Sequence, residues 1–231
     1  FILPLQELLL KITEETSLVF LCNPGNPTGT VTGKAELVRL AERCEETKTF
    51  LCVDECFLPF LPGEPALSMK GETVRFPHLA VLRAFTKVYG MPGLRLGYLM
   101  TGNRELAGRL KEKLPPWNVS LPAQLAGAAA LKAEGYLEKT RKLIRGEKEK
   151  LVSVLLETVA DRVYPGSANF LLFHGREGLK EALLDRKILI RDCSNFKGLS
   201  RGYYRICIRT QEENERLKEI LYSLAGKEAG K

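Results

Sequence analysis

The 231-residue chain predicts an α/β fold, with a mostly parallel sheet in a larger N-terminal domain and a small α+β domain after it. Two observations carry this. In the first half, short apolar runs alternate with segments of helical spacing, the signature of strand–helix–strand units. After about residue 160 the order changes to several strand-like runs with two helical segments among them. The boundary is expected between residues 134 and 135, so that residues 135–231 form a long connecting helix and the small domain. No internal repeat or low-complexity segment interrupts the pattern.

The first strand is expected at Leu18 to Cys22, ending in the dense turn cluster Asn23-Pro-Gly-Asn26-Pro-Thr28-Gly29. Gly33 to Glu46 follows with helical spacing at Leu37, Val38, Leu40 and Ala41. The Asn-Pro repeat restrains the loop and presents asparagine side chains, and open parallel sheets bind ligands at the carboxyl ends of their strands. An ordinary strand-to-helix turn is the other reading. The second run, Phe50-Leu-Cys-Val, ends in Asp54 and Glu55; carboxylates there serve either a site or a helix cap. The third, Leu79 to Leu82, leads into Arg83-Ala-Phe-Thr86-Lys87, and beyond a Gly/Pro-rich loop Leu94 to Met100 is expected to form another strand.

Arg104 to Lys113 predicts a helix stopped by Pro115 and Pro116, Ala123 to Lys132 a second, and Gly135 to about Ala160 a long one, interrupted at most at Gly146. On that helix Arg141, Lys142, Arg145, Lys148 and Lys150 alternate with Glu138, Glu147 and Glu149, the pattern of a solvated, salt-bridged face. Strands are expected at Arg162 to Tyr164, Asn169 to Phe173, Ile188 to Ile190 and Tyr203 to Ile208. Helices are expected at Glu177 to Asp185 and Glu212 to Leu224, with a frayed polar tail from Ala225 to Lys231.

Composition narrows the function. Hydrophobic residues make up 45% and charged residues 27%, as in an ordinary soluble globular protein, and no apolar run approaches a membrane span. Cysteines at 22, 44, 52, 56, 193 and 207 form no Cys-x-x-Cys; Cys22, Cys52 and Cys207 lie in apolar runs and read as buried free thiols of a reducing, cytoplasmic compartment. His78 and His174 lack metal-ligand spacing, so no metal site is expected. The net charge of +7 is dispersed and no groove-reading motif accompanies it, which argues against nucleic acid.

Lys87 stands out. At a strand end a lysine can be partly desolvated, which disfavours its ammonium and frees the amine as a nucleophile. Arg95, eight residues on, offers a cation that suits a phosphate. A nucleophilic lysine with a phosphate-binding arginine is what pyridoxal 5'-phosphate requires. Taken alone, a solvated Lys/Arg pair is the commoner explanation.

The three motifs in this order, Asn-Pro-Gly-Asn-Pro-Thr-Gly, then Val-Asp-Glu, then Thr-Lys with Gly-Leu-Arg-Leu-Gly-Tyr, resemble those of the fold-type I pyridoxal-phosphate enzymes. Within these the chain is similar to the histidinol-phosphate aminotransferases. It is most similar to the L-threonine-O-3-phosphate decarboxylases of cobalamin biosynthesis, through Arg83-Ala-Phe-Thr-Lys87, Arg191-Asp-Cys-Ser and Tyr204-Arg205-Ile-Cys-Ile-Arg209. The resemblance implies that Lys87 is the Schiff-base lysine and that Asp54 partners the pyridinium nitrogen. It implies that Asn26 donates to the cofactor's phenolic oxygen and that Thr86 and Arg95 hold its phosphate. Arg205 then binds the substrate carboxylate, and Asn169 lies at the mouth of a site between the two domains. Arg191 and Arg209 either clamp a substrate phosphate or are a turn cap and a surface charge, and the sequence leaves both open.

The resemblance further implies a small phosphorylated amino-acid or amine substrate, a homodimer, and either decarboxylation or transamination; an inert fragment or a degenerate homologue is the non-enzymatic alternative. Phe57 stands where relatives often have tyrosine and Ala84 where many have serine or threonine, so two hydroxyl contacts are lost. Roughly the first third of the family pattern has no counterpart, including a Gly-rich phosphate loop and a stacking aromatic, so the chain is expected to be a fragment of a longer enzyme.

Overall fold

The computed structural model describes residues 1–164 and 166–226. The chain forms two compact units, Phe1–Gly25 with Val31–Leu137 and Asn26–Thr30 with Glu138–Lys231. Of the expected frayed tail, residues 227–231 lie outside the described residues.

In the first unit a four-stranded sheet has the order β1 (Leu18–Cys22), β2 (Phe50–Asp54), β3 (Leu79–Ala84), β4 (Gly97–Thr101). The first three strands are parallel and β4 is antiparallel to β3. One face is built from Val19, Leu21, Leu51, Val53, Leu79 and Val81. It packs with Leu5 and Ile12 around the helix α1 (Leu5–Lys11), and with Leu37, Leu40 and Ala41 of α2 (Lys34–Glu46). Val19 and Leu21 are half-buried; each fully buried aliphatic side chain of this core contributes roughly 1.5–3 kcal/mol. The other face is open in part, with Leu18 and Phe20 57% and 56% exposed. Alternation along a strand assigns each residue to one face, which decides where the polar strand ends point.

After β2 come short turns and α3 (Glu64–Leu67), and after β3 the single-turn helix α4 (Phe85–Val88). The strand expected from Leu94 begins only at Gly97. Pro92–Leu94 is a 3₁₀ turn and Arg95 is left-handed with φ 55°, so the chain turns before it can join the ladder. α5 (Arg104–Lys113) is capped by Asn103, and α6 (Leu121–Leu131) by Ser120. In α6 a Cβ on Gly127 would stand 2.4 Å from Leu96 Cδ2, so glycine permits that approach. The long helix α7 (Tyr136–Thr158) runs through Gly146 without a break. A helix-interior glycine costs only about 1 kcal/mol, and buried Ile144, Leu151, Val154 and Leu155 hold the surrounding turns.

The second unit has a four-stranded sheet of order β5 (Ala160–Tyr164), β6 (Phe170–Gly175), β8 (Tyr203–Cys207), β7 (Arg191–Asp192), antiparallel throughout. Two helices, α8 (Leu179–Leu184) and α9 (Gln211–Leu224), contribute buried Leu179, Leu183, Leu217 and Leu221. Ile188 to Ile190, expected to be a strand, is not one. The ladder forms only at Arg191 and Asp192, where the backbone meets Arg205 and Tyr204. Apolarity there reflects burial of Ile190 rather than pairing. Cys207, expected to be buried, is exposed; Cys52 is buried and Cys22 half-buried, and none of the six forms a disulfide.

Candidate active site

The carboxyl ends of β1, β2 and β3 gather polar groups in the first unit. Cys22 stands opposite Asp54 in the register, and Asp54 opposite Leu82. Asp54 Oδ1 accepts the Cys56 backbone N–H at 2.9 Å, and the Cys22 thiol approaches Oδ2 at 4.0 Å. Burial, then the hydrogen bond and charge of Asp54, push the Cys56 thiol up to about 12, and the Lys87 ammonium opposes them. Cys56 therefore lies beside the carboxylate expected at the site. Burial and then Asp54 also raise Cys22, and raise Cys52 to about 11.

Alternation turns the next residue the other way. Glu55 is fully buried and accepts from Arg83 Nη2 at 2.6 Å, Arg83 Nε at 3.1 Å, Ser68 Oγ at 2.7 Å and the Met69 N–H at 2.6 Å. Arg83 also donates to Glu64 at 2.5 Å. This network ties the end of β2 to the end of β3 on the face opposite Asp54. Sequence reasoning passed over it; the signal was a second carboxylate directly after the first and an arginine inside an apolar strand.

Lys87 is the third residue of α4, and Thr86 precedes it. Lys87 is exposed, not partly desolvated as its strand-end place had implied, because α4 turns it outward from the apolar run. Arg95 is exposed, and its Nη1 donates to the Pro92 carbonyl at 3.0 Å. Phe57 is half-buried and stacks on Phe60 with centroids 6.4 Å apart.

Asn26 and its neighbours Pro27 to Thr30 group with the second unit. There Arg205 Nη1 donates to Asn26 Oδ1. This leaves the Asn26 amide nitrogen as the free donor end of that side chain, the end a phenolic oxygen needs. Gly29, at φ +71°, lies against Gly166: a Cβ on Gly29 would meet the Gly166 Cα at 2.9 Å. The Ser167 N–H donates to the Gly29 carbonyl at 2.7 Å. Asn169 follows; its Nδ2 donates to Cys207 Sγ at 3.5 Å, and its Oδ1 is buried without a partner among the described residues. A buried acceptor left unmade is costly, and a donor from a bound molecule would satisfy it.

Arg191 pairs with Arg205 across β7 and β8, and both line one open cleft of 670 Å³ with Arg209. Lys180, Lys187 and Arg216 add further positive charge to its wall. Arg191 donates to Asn195 at 3.0 Å, and Arg209 is exposed and paired with Glu213 at 2.8 and 2.7 Å. Of the sequence-predicted residues, then, Asp54, Thr86, Lys87 and Arg95 share the first unit, and Asn26, Asn169, Arg191, Arg205 and Arg209 share the second. An amine, a carboxylate, a hydroxyl and a guanidinium at one sheet end form a donor set that fits pyridoxal phosphate, and the orphaned Asn169 oxygen fits a bound polar ligand.

The presumed solvated face of α7 is not uniform. Glu147 is buried and accepts from Lys150 at 2.8 Å and Asn214 at 3.0 Å. Lys148 is half-buried and donates to the carbonyls of Gly166 and Ala168 at 2.6 and 2.7 Å. Charge spacing alone did not separate these two from their exposed neighbours.

Residues 2–221 match the family described as aminotransferase class I and II. Threonine-phosphate decarboxylase of Salmonella typhimurium is 39% identical over 221 residues, which cover 93% of this chain and 59% of that protein. The histidinol-phosphate aminotransferase of Clostridium acetobutylicum superimposes with a TM-score of 0.90 at 31% identity, over 96% of this chain and 68% of that one. The histidinol-phosphate aminotransferase of Sinorhizobium meliloti, solved in complex with pyridoxal-5'-phosphate, gives 0.76 at 25%, over 90% and 58%. The chain thus spans about three-fifths of the Salmonella relative's length. With a match over nearly all of its residues, the chain belongs to the class I and II aminotransferase family.

Proposed function

We propose that the protein is a pyridoxal-phosphate-dependent lyase that decarboxylates L-threonine O-3-phosphate in cobalamin biosynthesis, acting as a cytoplasmic homodimer. The observation that carries the substrate is the second unit's cleft, where Arg191, Arg205 and Arg209 meet. Threonine phosphate has two anionic groups, a carboxylate and a phosphate, and arginine forks match both. Histidinol phosphate has the phosphate but no carboxylate. The 39% identity to a threonine-phosphate decarboxylase supports the same choice.

The cofactor, when bound, supplies an electron sink conjugated to the substrate's amine. Lys87 holds it, Asp54 keeps a proton on the ring nitrogen, Asn26 donates to the phenolic oxygen through Nδ2, and Thr86 and Arg95 take its phosphate. Arg205 would bind the substrate carboxylate and so orient the substrate at Cα. For decarboxylation, Lys87 Nζ would deliver a proton to the substrate's Cα as CO2 leaves. For transamination, Lys87 Nζ would instead take the proton from Cα. In this reading residues 1–134 are part of the cofactor-binding domain and residues 135–231 the connecting helix and small domain.

A histidinol-phosphate aminotransferase is the second reading, favoured by the TM-score of 0.90 to the Clostridium enzyme. Turnover separates the two. Release of CO2 from L-threonine O-3-phosphate without a keto acid supports the lyase. Amino transfer from histidinol phosphate to a keto acid, with no CO2 release, overturns it, and no turnover of either substrate supports an inert homologue.

A further inference from the structure

Lys148 carries a charge that stability does not explain. It projects from the middle of α7, is half-buried, and donates to two backbone carbonyls, Gly166 at 2.6 Å and Ala168 at 2.7 Å. Neither 26–30 nor 166–169 contains an ionisable side chain, so no carboxylate there offsets the charge. On α7 itself the preceding Glu147 is bonded to Lys150 and Asn214. Burial pulls Lys148 down to about 8, so the ammonium still holds its proton at neutral pH and offers all three donors. Burying a charge without a counter-ion is costly, and an apolar residue in its place would be cheaper.

What the ammonium holds is the approach to the substrate-facing residues. Between its two acceptors sits Ser167, whose N–H reaches the Gly29 carbonyl at 2.7 Å. Gly166 and Gly29 touch backbone to backbone; a Cβ on Gly166 would stand 2.7 Å from the Thr28 carbonyl oxygen. Gly29 lies three residues after Asn26, which receives Arg205. On the other side, Asn169 follows Ala168 directly, and its carbonyl accepts the Ile208 N–H at 2.8 Å. One cation therefore clamps a loop that touches the Asn26 segment on one side and delivers Asn169, with its unpartnered Oδ1, on the other.

We propose that Lys148 is a positioning residue: through the Gly166 and Ala168 carbonyls it sets the loop 166–169 against the segment 26–30, and so fixes Asn169 for the substrate and Asn26 for the cofactor's phenolic oxygen. It touches neither substrate nor cofactor. Its link to turnover rests on the lyase reading, whereas its effect on the loop does not.

The test compares Lys148→Met and Lys148→Arg with the wild-type protein at pH 7. In Lys148→Met, hydrogen exchange at the Ser167 amide should rise roughly 10- to 100-fold, as expected when charge-assisted bonds are lost. Exchange at Leu171 and Phe173, inside β6, should not change. KM for L-threonine O-3-phosphate should rise on the order of tenfold with kcat little altered, the signature of lost ground-state positioning. Lys148→Arg, which also donates to two carbonyls, should restore both readouts. Unchanged Ser167 exchange in Lys148→Met, or a rise shared equally by β6 as a plain loss of stability requires, overturns the proposal. If the wild-type protein turns over no substrate, the lyase reading fails while the exchange comparison still decides the role of Lys148.

Discussion

Arg83→Met should unlock the floor beneath the first unit's candidate site. Arg83 is 9% exposed and its partner Glu55 0%. The substitution removes two donors to Glu55, at 2.6 and 3.1 Å, and the 2.5 Å contact to Glu64. Breaking a buried pair by deleting one partner costs about 3–5 kcal/mol, because the other charge stays buried. Ser68 Oγ and the Met69 N–H still donate to Glu55, which places the loss near the lower end, about 3 kcal/mol. For a chain of this size that corresponds to a fall in Tm of roughly 6–12 °C. Urea denaturation followed by circular dichroism measures it, with hydrogen exchange at the Glu55 amide, bonded to the Leu82 carbonyl, as a local probe. Glu55→Leu with Arg83→Met should lose less than the two single losses summed. A loss below about 1 kcal/mol for Arg83→Met, the range of an exposed pair, would refute the claim that this pair anchors the ends of β2 and β3.

Borohydride treatment of the pyridoxal-phosphate-loaded protein should fix the label to Lys87, and Lys87→Ala should lose it while circular dichroism stays unchanged; label mapped by peptide mass to another lysine contradicts the assignment. Asp54→Asn should slow turnover on the order of 10²-fold through loss of electrostatic stabilisation. It should also lower the Cys56 thiol pKa, because a negative neighbour that disfavours the thiolate is gone; alkylation rate against pH reads this without any cofactor, and an unmoved profile contradicts the contact. For Glu147, burial raises the carboxyl but the bonds from Lys150 and Asn214 and the charge of Lys218 outweigh it, so it ends below its ordinary 4.5. Its folded pKa lies below the unfolded one, so its contribution is present above about 4.5 and lost as pH falls through the lower value. Glu147→Gln should flatten that acid-side decline in the second unit's exchange protection, and an unaltered slope counts against it.

Local chemistry made much of this protein legible in its sequence. The runs Leu18 to Cys22, Phe50 to Val53 and Leu79 to Leu82 became β1, β2 and β3 because apolar strands flanked by turn clusters have few alternatives. Arg104 to Lys113 and the long segment after Gly135 became helices for the same kind of reason. Asp54 and Lys87 stood out because their residue types sit at strand ends beside turn-rich loops, whereas Arg205, in the middle of β8, was assigned only through the resemblance. What only the tertiary structure decided was direction and company. The Leu94 reading failed because a left-handed Arg95 delays the strand to Gly97, and a single torsion angle leaves no trace in apolar spacing. Ile188 to Ile190 is apolar yet unpaired, since strand pairing depends on a distant partner. Glu55 and Asp54 are neighbours in sequence and separate in space, one buried under Arg83 and the other beside Cys22 and Cys56, because successive residues of a strand face opposite ways. Lys148 looked like one cation in a solvated row; only the approach of Gly166 and Ala168 from 18 and 20 residues away distinguishes it. Sequence fixes which groups a short segment offers, and long-range packing decides which face each group shows and what meets it there.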